Sequence, residues 1–177
     1  MAIKRLSSRE VYRNRWMTLR EDRIGLADGS EGIYGVVSKP DFALVIRRED
    51  QSFYLVEQFR YPVGGRFREF PQGTWETRPD ATPEMVATGE LREETGLSAG
   101  RMTYLGYLYV AYGFLDQKMH VFLAEELTRG EAAPEPEEQD LICVKTTIAA
   151  FDADLRDGRI KDSASIAAYA LLKATER

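Results

Sequence analysis

One cysteine and one histidine are all that 177 residues contain of those two types. A lone cysteine, Cys143, excludes a disulfide within the chain and suits a reducing, cytoplasmic setting. It lies in the apolar run LICV, which predicts a buried packing residue rather than a nucleophile. His120, in KMHVFLA, falls in a strand-like pattern and reads as structural. Zinc sites and Ser-His triads therefore have almost no material to draw on. An excess of base is also missing, since 24 Lys and Arg stand against 29 Asp and Glu for a formal charge of −5. That disfavours a nucleic-acid partner, yet it leaves room for a small polyanion, because a divalent metal reverses the local sign. No stretch approaches the ~20 apolar residues of a membrane span, and MAIKRLSSRE lacks the apolar core of a signal peptide, so no membrane partner is expected. No repeat at solenoid periods is visible.

What is present suffices for one core, with 44% hydrophobic residues. VYRNRWMTLREDRIGL predicts one or two strands, and ADGSEG a turn. IYGVVS, FALVIRR and FYLVEQFRY follow as strands. PVGGRFREFPQG reads as a glycine-rich loop around a short strand. Thr82 then suits a helix N-cap, Pro83 the first helical position and Gly96 the left-handed closing residue. MTYLGYLYVAYG and KMHVFLAEEL predict two more strands, and TRGEAAPEPEEQD a polar loop. LICVKTT predicts a last strand. A short helix stopped by Gly158 precedes a final helix capped by Asp162 or Ser163. Many strands, one central helix and a helical tail point to a mixed α+β layered fold.

The central helix is the unusual element. In GELREETGL, Glu90 and Glu94 lie about 40° apart around a helix axis, with Glu93 about 60° to the other side of Glu90. Arg92 lies roughly opposite. Like charges at this spacing repel by a few tenths of a kcal/mol per pair, a cost that a cation between them would offset. Carboxylate oxygens suit Mg²⁺ or Mn²⁺. A solvated acidic face has the same spacing, so the string alone leaves both readings open.

The context of the string adds a resemblance. Residues 73–97 resemble the Nudix box, G-x5-E-x7-R-E-U-x-E-E-x-G-U with U aliphatic. Glu90, Leu91, Glu93, Glu94, Gly96 and Leu97 fall on its second half. EQFRYPVGGRFREFPQG upstream and DLRDGRIKDSASIAAYALL downstream resemble the ADP-ribose pyrophosphatase branch, so the likeness spans about residues 10–175. Two positions depart from the pattern. Gly89 stands where the box has arginine, and Ala81 where it has its first glutamate, with Glu76 in the longer loop as a substitute acid.

The resemblance implies a Nudix-type α/β/α sandwich with a mixed central sheet. It implies an N-terminal antiparallel extension over residues 1–40 that helps form a homodimer, and a hydrolase domain over 41–177. It implies Mg²⁺-dependent hydrolysis of the pyrophosphate bond of a nucleoside diphosphate sugar, such as ADP-ribose or GDP-mannose. Glu90, Glu94 and the main-chain carbonyl of Gln72 would hold Mg²⁺ or Mn²⁺, with Glu93 assisting. Glu138, or else Glu137, would act from the acidic loop as general base or as an additional metal ligand. Arg60 would contact a phosphate and Glu69 a ribose hydroxyl or the metal shell. An ion pair of Arg60 with Glu57 or Glu69 is the alternative for that arginine. Trp16, Tyr112 and Phe114 read as core or dimer packing, or as a stacking surface for a base. Gln117 stands where the branch often has an acid. The alternative function is a non-catalytic nucleotide-sugar sensor on the same fold, motivated by Gly89 and Ala81. A structural domain with a merely solvated acidic helix is a third reading.

Overall fold

The computed structural model describes residues 3–74, 80–130 and 140–176. The chain begins with three antiparallel strands, β1 (Lys4–Arg13), β2 (Thr18–Gly25) and β3 (Glu31–Ser38), in the order β1-β2-β3. This sheet buries little of itself. Only Asp22 and Ile24 in its strands are buried, and Leu6, Val11, Tyr12, Ile33 and Tyr34 are exposed. Its end joins the rest of the chain through Val37, whose N–H donates to the carbonyl of Phe114 at 2.8 Å.

A seven-stranded mixed sheet follows. Its strands are β4 (Phe42–Glu49), β5 (Ser52–Arg60), β6 (Gly65–Glu69), β7 (Gln72–Gly73), β8 (Leu97–Tyr109), β9 (Lys118–Arg129) and β10 (Ile142–Thr147). The path runs β10-β5-β4-β9-β8, with β6 on β5 and β7 on β4. The pair β4–β9 is parallel and the other pairs are antiparallel. A 3-10 turn, Tyr61–Val63, carries β5 into β6 and ends on Gly64 at φ 62°.

Alternation along β4 and β9 sends successive side chains to opposite faces. Leu44, Ile46, Met119, Val121 and Leu123 pack on one face with α2 (Ile148–Arg156) and α3 (Ser163–Thr175). Ala43, Val45, Phe122 and Ala124 pack on the other with α1 (Pro83–Thr95). The result is a helix–sheet–helix sandwich. Phe53, Phe70, Phe151 and Tyr169 form the centre of the first face, with Phe53 edge-on to Phe70 at 5.4 Å and to Phe151 at 5.6 Å. These near-perpendicular contacts suit the aromatic quadrupole.

The helix ends follow the sequence chemistry. The Thr82 hydroxyl accepts from Met85 N–H, Pro83 opens α1, and Gly96 closes it at φ 66°. Asp162 caps α3 by accepting from the Ala164 and Ser165 amides. One expectation is overturned. Cys143 is exposed, because β10 pairs with β5 along one side and forms the edge of its sheet. Apolar neighbours in sequence do not bury an edge residue. Trp16, Tyr112 and Phe114 are exposed, which removes the core alternative for them and leaves dimer packing or a stacking surface. His120 meets the structural expectation, with its Nδ1 3.1 Å from the Tyr104 hydroxyl. No helix among the described residues is long and apolar enough to cross a membrane.

Candidate active site

The acidic helix delivers its carboxylates to unlike surroundings. Leu91 and Val86 turn inward against Ala43, Val45 and Phe122 and fix the rotation of α1. Glu90, next to Leu91, is thereby drawn in and is only 6% exposed. Glu93 is half-buried and Arg92 is exposed. The backbone of Glu94 continues α1 one turn beyond Glu90, while its side chain lies outside the described residues, as do Glu76, Glu137 and Glu138.

Glu90 sits directly against Gly73. A Cβ on Gly73 would overlap the Glu90 carboxyl group, so only glycine lets the helix acid lie flat on β7. The neighbouring residue, Gln72, is held by pairing of β7 with β4, in the register Gln72 to Leu44 and Gly73 to Ala43. The Val45 N–H donates to the Pro71 carbonyl at 2.9 Å and secures the approach to that strand.

Glu69 ends β6 and is 2% exposed. Its Oε1 accepts from Gln58 Nε2 at 3.0 Å and its Oε2 from Arg60 Nε at 3.1 Å. A second Arg60 nitrogen also donates to Oε1. Of the alternatives for Arg60, an ion pair with Glu69 is therefore formed. Burial pushes the Glu69 carboxyl above its ordinary range, and the Arg60 guanidinium works against that shift. Asp162, at the start of α3, raises it further through like charge.

Arg60, Glu69, Gln72, Gly73 and Asp162 border a cleft of about 640 Å³. Its polar lining includes Lys39, Arg60, Glu69, Gln72, Gln117 and Lys161, and Phe42, Phe67 and Val110 supply apolar wall. Gln117 is buried and donates from Nε2 to the Pro40 carbonyl at 2.6 Å. Sequence reasoning missed Lys39, Lys161 and Asp162. All three come from connecting segments whose local pattern carries no site signal.

The donor chemistry fits a hard dication. No group of three His, Cys, Asp or Glu side chains able to hold a metal ion occurs among the described residues. Glu90 nevertheless offers carboxylate oxygen beside Gly73, and Glu93 and Glu94 follow on the same helix. All-oxygen ligation is what Mg²⁺ and Mn²⁺ select. The missing side chain at Gly73 makes the close approach of acid and strand possible.

Comparison with known proteins places this arrangement. Residues 3–37 match the family model of the nucleoside diphosphate sugar hydrolase N-terminal domain, and residues 37–162 that of the NUDIX domain. An ADP-ribose pyrophosphatase of Bacillus subtilis (strain 168) is 31% identical over 140 residues, covering 78% of this chain and 75% of the relative. A methanol dehydrogenase activator of Bacillus methanolicus is 27% identical over 175 residues, covering 98% of this chain and 94% of the relative. A crystal structure of an ADP compounds hydrolase superposes with a TM-score of 0.87 at 21% identity, covering 98% of this chain and 94% of that one. At that identity the superposition speaks to the fold alone. With the NUDIX model spanning most of the sequence and the acid helix lying on its glycine strand, the chain belongs to the Nudix hydrolases.

Proposed function

We propose that this hydrolase cleaves the pyrophosphate bond of a nucleoside diphosphate sugar, ADP-ribose or GDP-mannose being examples, with Mg²⁺ or Mn²⁺. The observation that carries the reading is the contact of Glu90 with Gly73 beside a cleft lined by Arg60, Lys39 and Lys161. The matched nucleoside diphosphate sugar hydrolase segment and the ADP-ribose pyrophosphatase relative support the substrate class.

In this reading Glu90, Glu94 and the Gln72 carbonyl hold the dication and Glu93 assists. The bound ion supplies charge neutralisation of the diphosphate and a lowered pKa for a coordinated water. The chain's own part is positioning and electrostatics. Arg60, fixed by Glu69, presents its guanidinium to a phosphate, a task its planar fork suits. Glu69, besides holding Arg60, serves a ribose hydroxyl or the metal shell. Glu138, or Glu137, takes the proton of the attacking water. Residues 1–40 act as a dimerisation extension of the hydrolase domain in 41–177, and the protein works as a cytoplasmic homodimer. The exposed apolar residues of β1 and β3 support that assembly.

The test is release of nucleoside monophosphate and sugar phosphate from a panel of nucleotide sugars with Mg²⁺ and with Mn²⁺. Turnover of at least one member that stops on adding chelator supports the reading. Tight binding throughout the panel with no cleavage contradicts it and favours a sensor.

A further inference from the structure

A chain of hydrogen bonds ties the final helix to the strand that borders the site. The Phe70 N–H donates to Ser165 Oγ at 2.8 Å. Ser165 Oγ donates in turn to Asp162 Oδ2 at 2.6 Å. The same oxygen accepts from the Ser165 amide at 2.8 Å and from Gln72 Nε2 at 3.2 Å. Asp162 is thus tied to both ends of the Phe70–Gln72 segment, directly to Gln72 and through Ser165 to Phe70, while capping α3. Ser165 is fully buried, so it cannot reach a substrate. A surface cap needs none of this, since the Asp162 bonds to the Ala164 and Ser165 amides already satisfy the helix.

We infer that Ser165 and Asp162 are positioning residues, which lock the Phe70–Gly73 segment so that the Gln72 carbonyl and the Gly73 face meet the acids of α1. The inference rests on the proposed metal-dependent hydrolysis for its functional consequence, and on the hydrogen-bond chain for its geometry. Backbone bonding from β4 reaches Gln72 and Gly73 by strand pairing and Pro71 through the Val45 N–H, one residue short of Phe70. Phe70 has its ring in the aromatic core, and the amide of Phe70 depends on Ser165 for its partner at this end. Without the bridge, the segment is held by β4 on one side and by the Phe70 ring. The groups around a ligand that fix its orientation commonly matter to affinity and turnover by about 10- to 100-fold.

The experiment compares wild type with Ser165→Ala and Gln72→Met. Both substitutions leave the Asp162 cap and the Gln72 main chain in place. Calorimetric titration with Mn²⁺ in the absence of substrate, amide hydrogen exchange and steady-state kinetics are read together. The expected result is about 10-fold or greater weakening of Mn²⁺ binding, faster exchange confined to residues 69–73, and lowered kcat with KM little changed. Folded variants that bind Mn²⁺ and turn over like wild type overturn the inference. If Ser165→Ala does not fold, Gln72→Met decides by the same readouts. A wild type that binds Mn²⁺ but hydrolyses no nucleotide sugar refutes the proposed substrate, and the Mn²⁺ affinities then judge the positioning role alone. A wild type that binds no Mn²⁺ overturns both.

Discussion

The carboxyl group of Glu90 fills the space that a side chain on Gly73 would need. Helix and strand are thereby brought within contact across the site, and a side chain at position 73 would have to displace Glu90. Gly73→Ala is accordingly expected to displace Glu90 rather than unfold the chain, because the clash falls on the far end of a side chain. Turnover should fall by about 10- to 100-fold with a melting temperature close to wild type. Parallel kinetics and thermal melts check this, and a wild-type rate in the alanine variant would contradict it.

Glu69 links stability to pH. Burial raises its pKa above the ordinary 4.5 despite the Arg60 ion pair. A carboxyl raised in the folded state lends its full contribution below the unfolded value, and that contribution is lost as pH rises through the folded value. Glu69→Gln stays neutral throughout. The melting temperature of the glutamine variant relative to wild type should therefore climb as pH increases from 4 into the neutral range. A relative melting temperature that falls over that range would show the Arg60 pair outweighing burial.

The N-terminal sheet predicts association. A three-stranded sheet with few buried residues is marginal unless a face is covered, and Ile33 on β3 is 70% exposed. Light scattering should give a dimer at micromolar concentration, and Ile33→Asp should shift it towards monomer. A monomeric wild type contradicts the expectation.

Phe151 joins α2 to the aromatic centre, 5.3 Å from Phe70 and 5.0 Å from Tyr169. Truncation to alanine should cost about 3–5 kcal/mol of stability, read by chemical denaturation. Because Phe70 begins the site segment, activity should also fall well below the melting temperature of the variant.

Local chemistry made most elements legible. Thr82, Pro83, Gly96 and Asp162 occupy the cap positions their residue types favour. The α1 acids stood out by spacing, and Gln72 entered only through the family resemblance. Long-range relationships left no local trace. Asp162 meets Gln72 across 90 residues, and only the folded sheet brings them together. Cys143 misled because LICV looks like core, while its strand lies at a sheet edge. Spacing placed Glu90, Glu93 and Glu94 on one patch, but could not show that Glu90 would be drawn against Gly73 of β7. The half-buried positions of Ala81 and Gly89 give no structural reason for the loss of charge there.

The central claim is that the helix acids hold a dication against a diphosphate. The most direct measurement is Mn²⁺ titration and nucleotide-sugar turnover in Glu90→Gln and Glu94→Gln beside wild type, with thermal melts as control. Folded variants that lose ion affinity and at least about 100-fold in turnover are predicted. Folded variants that bind and hydrolyse like wild type would contradict the account.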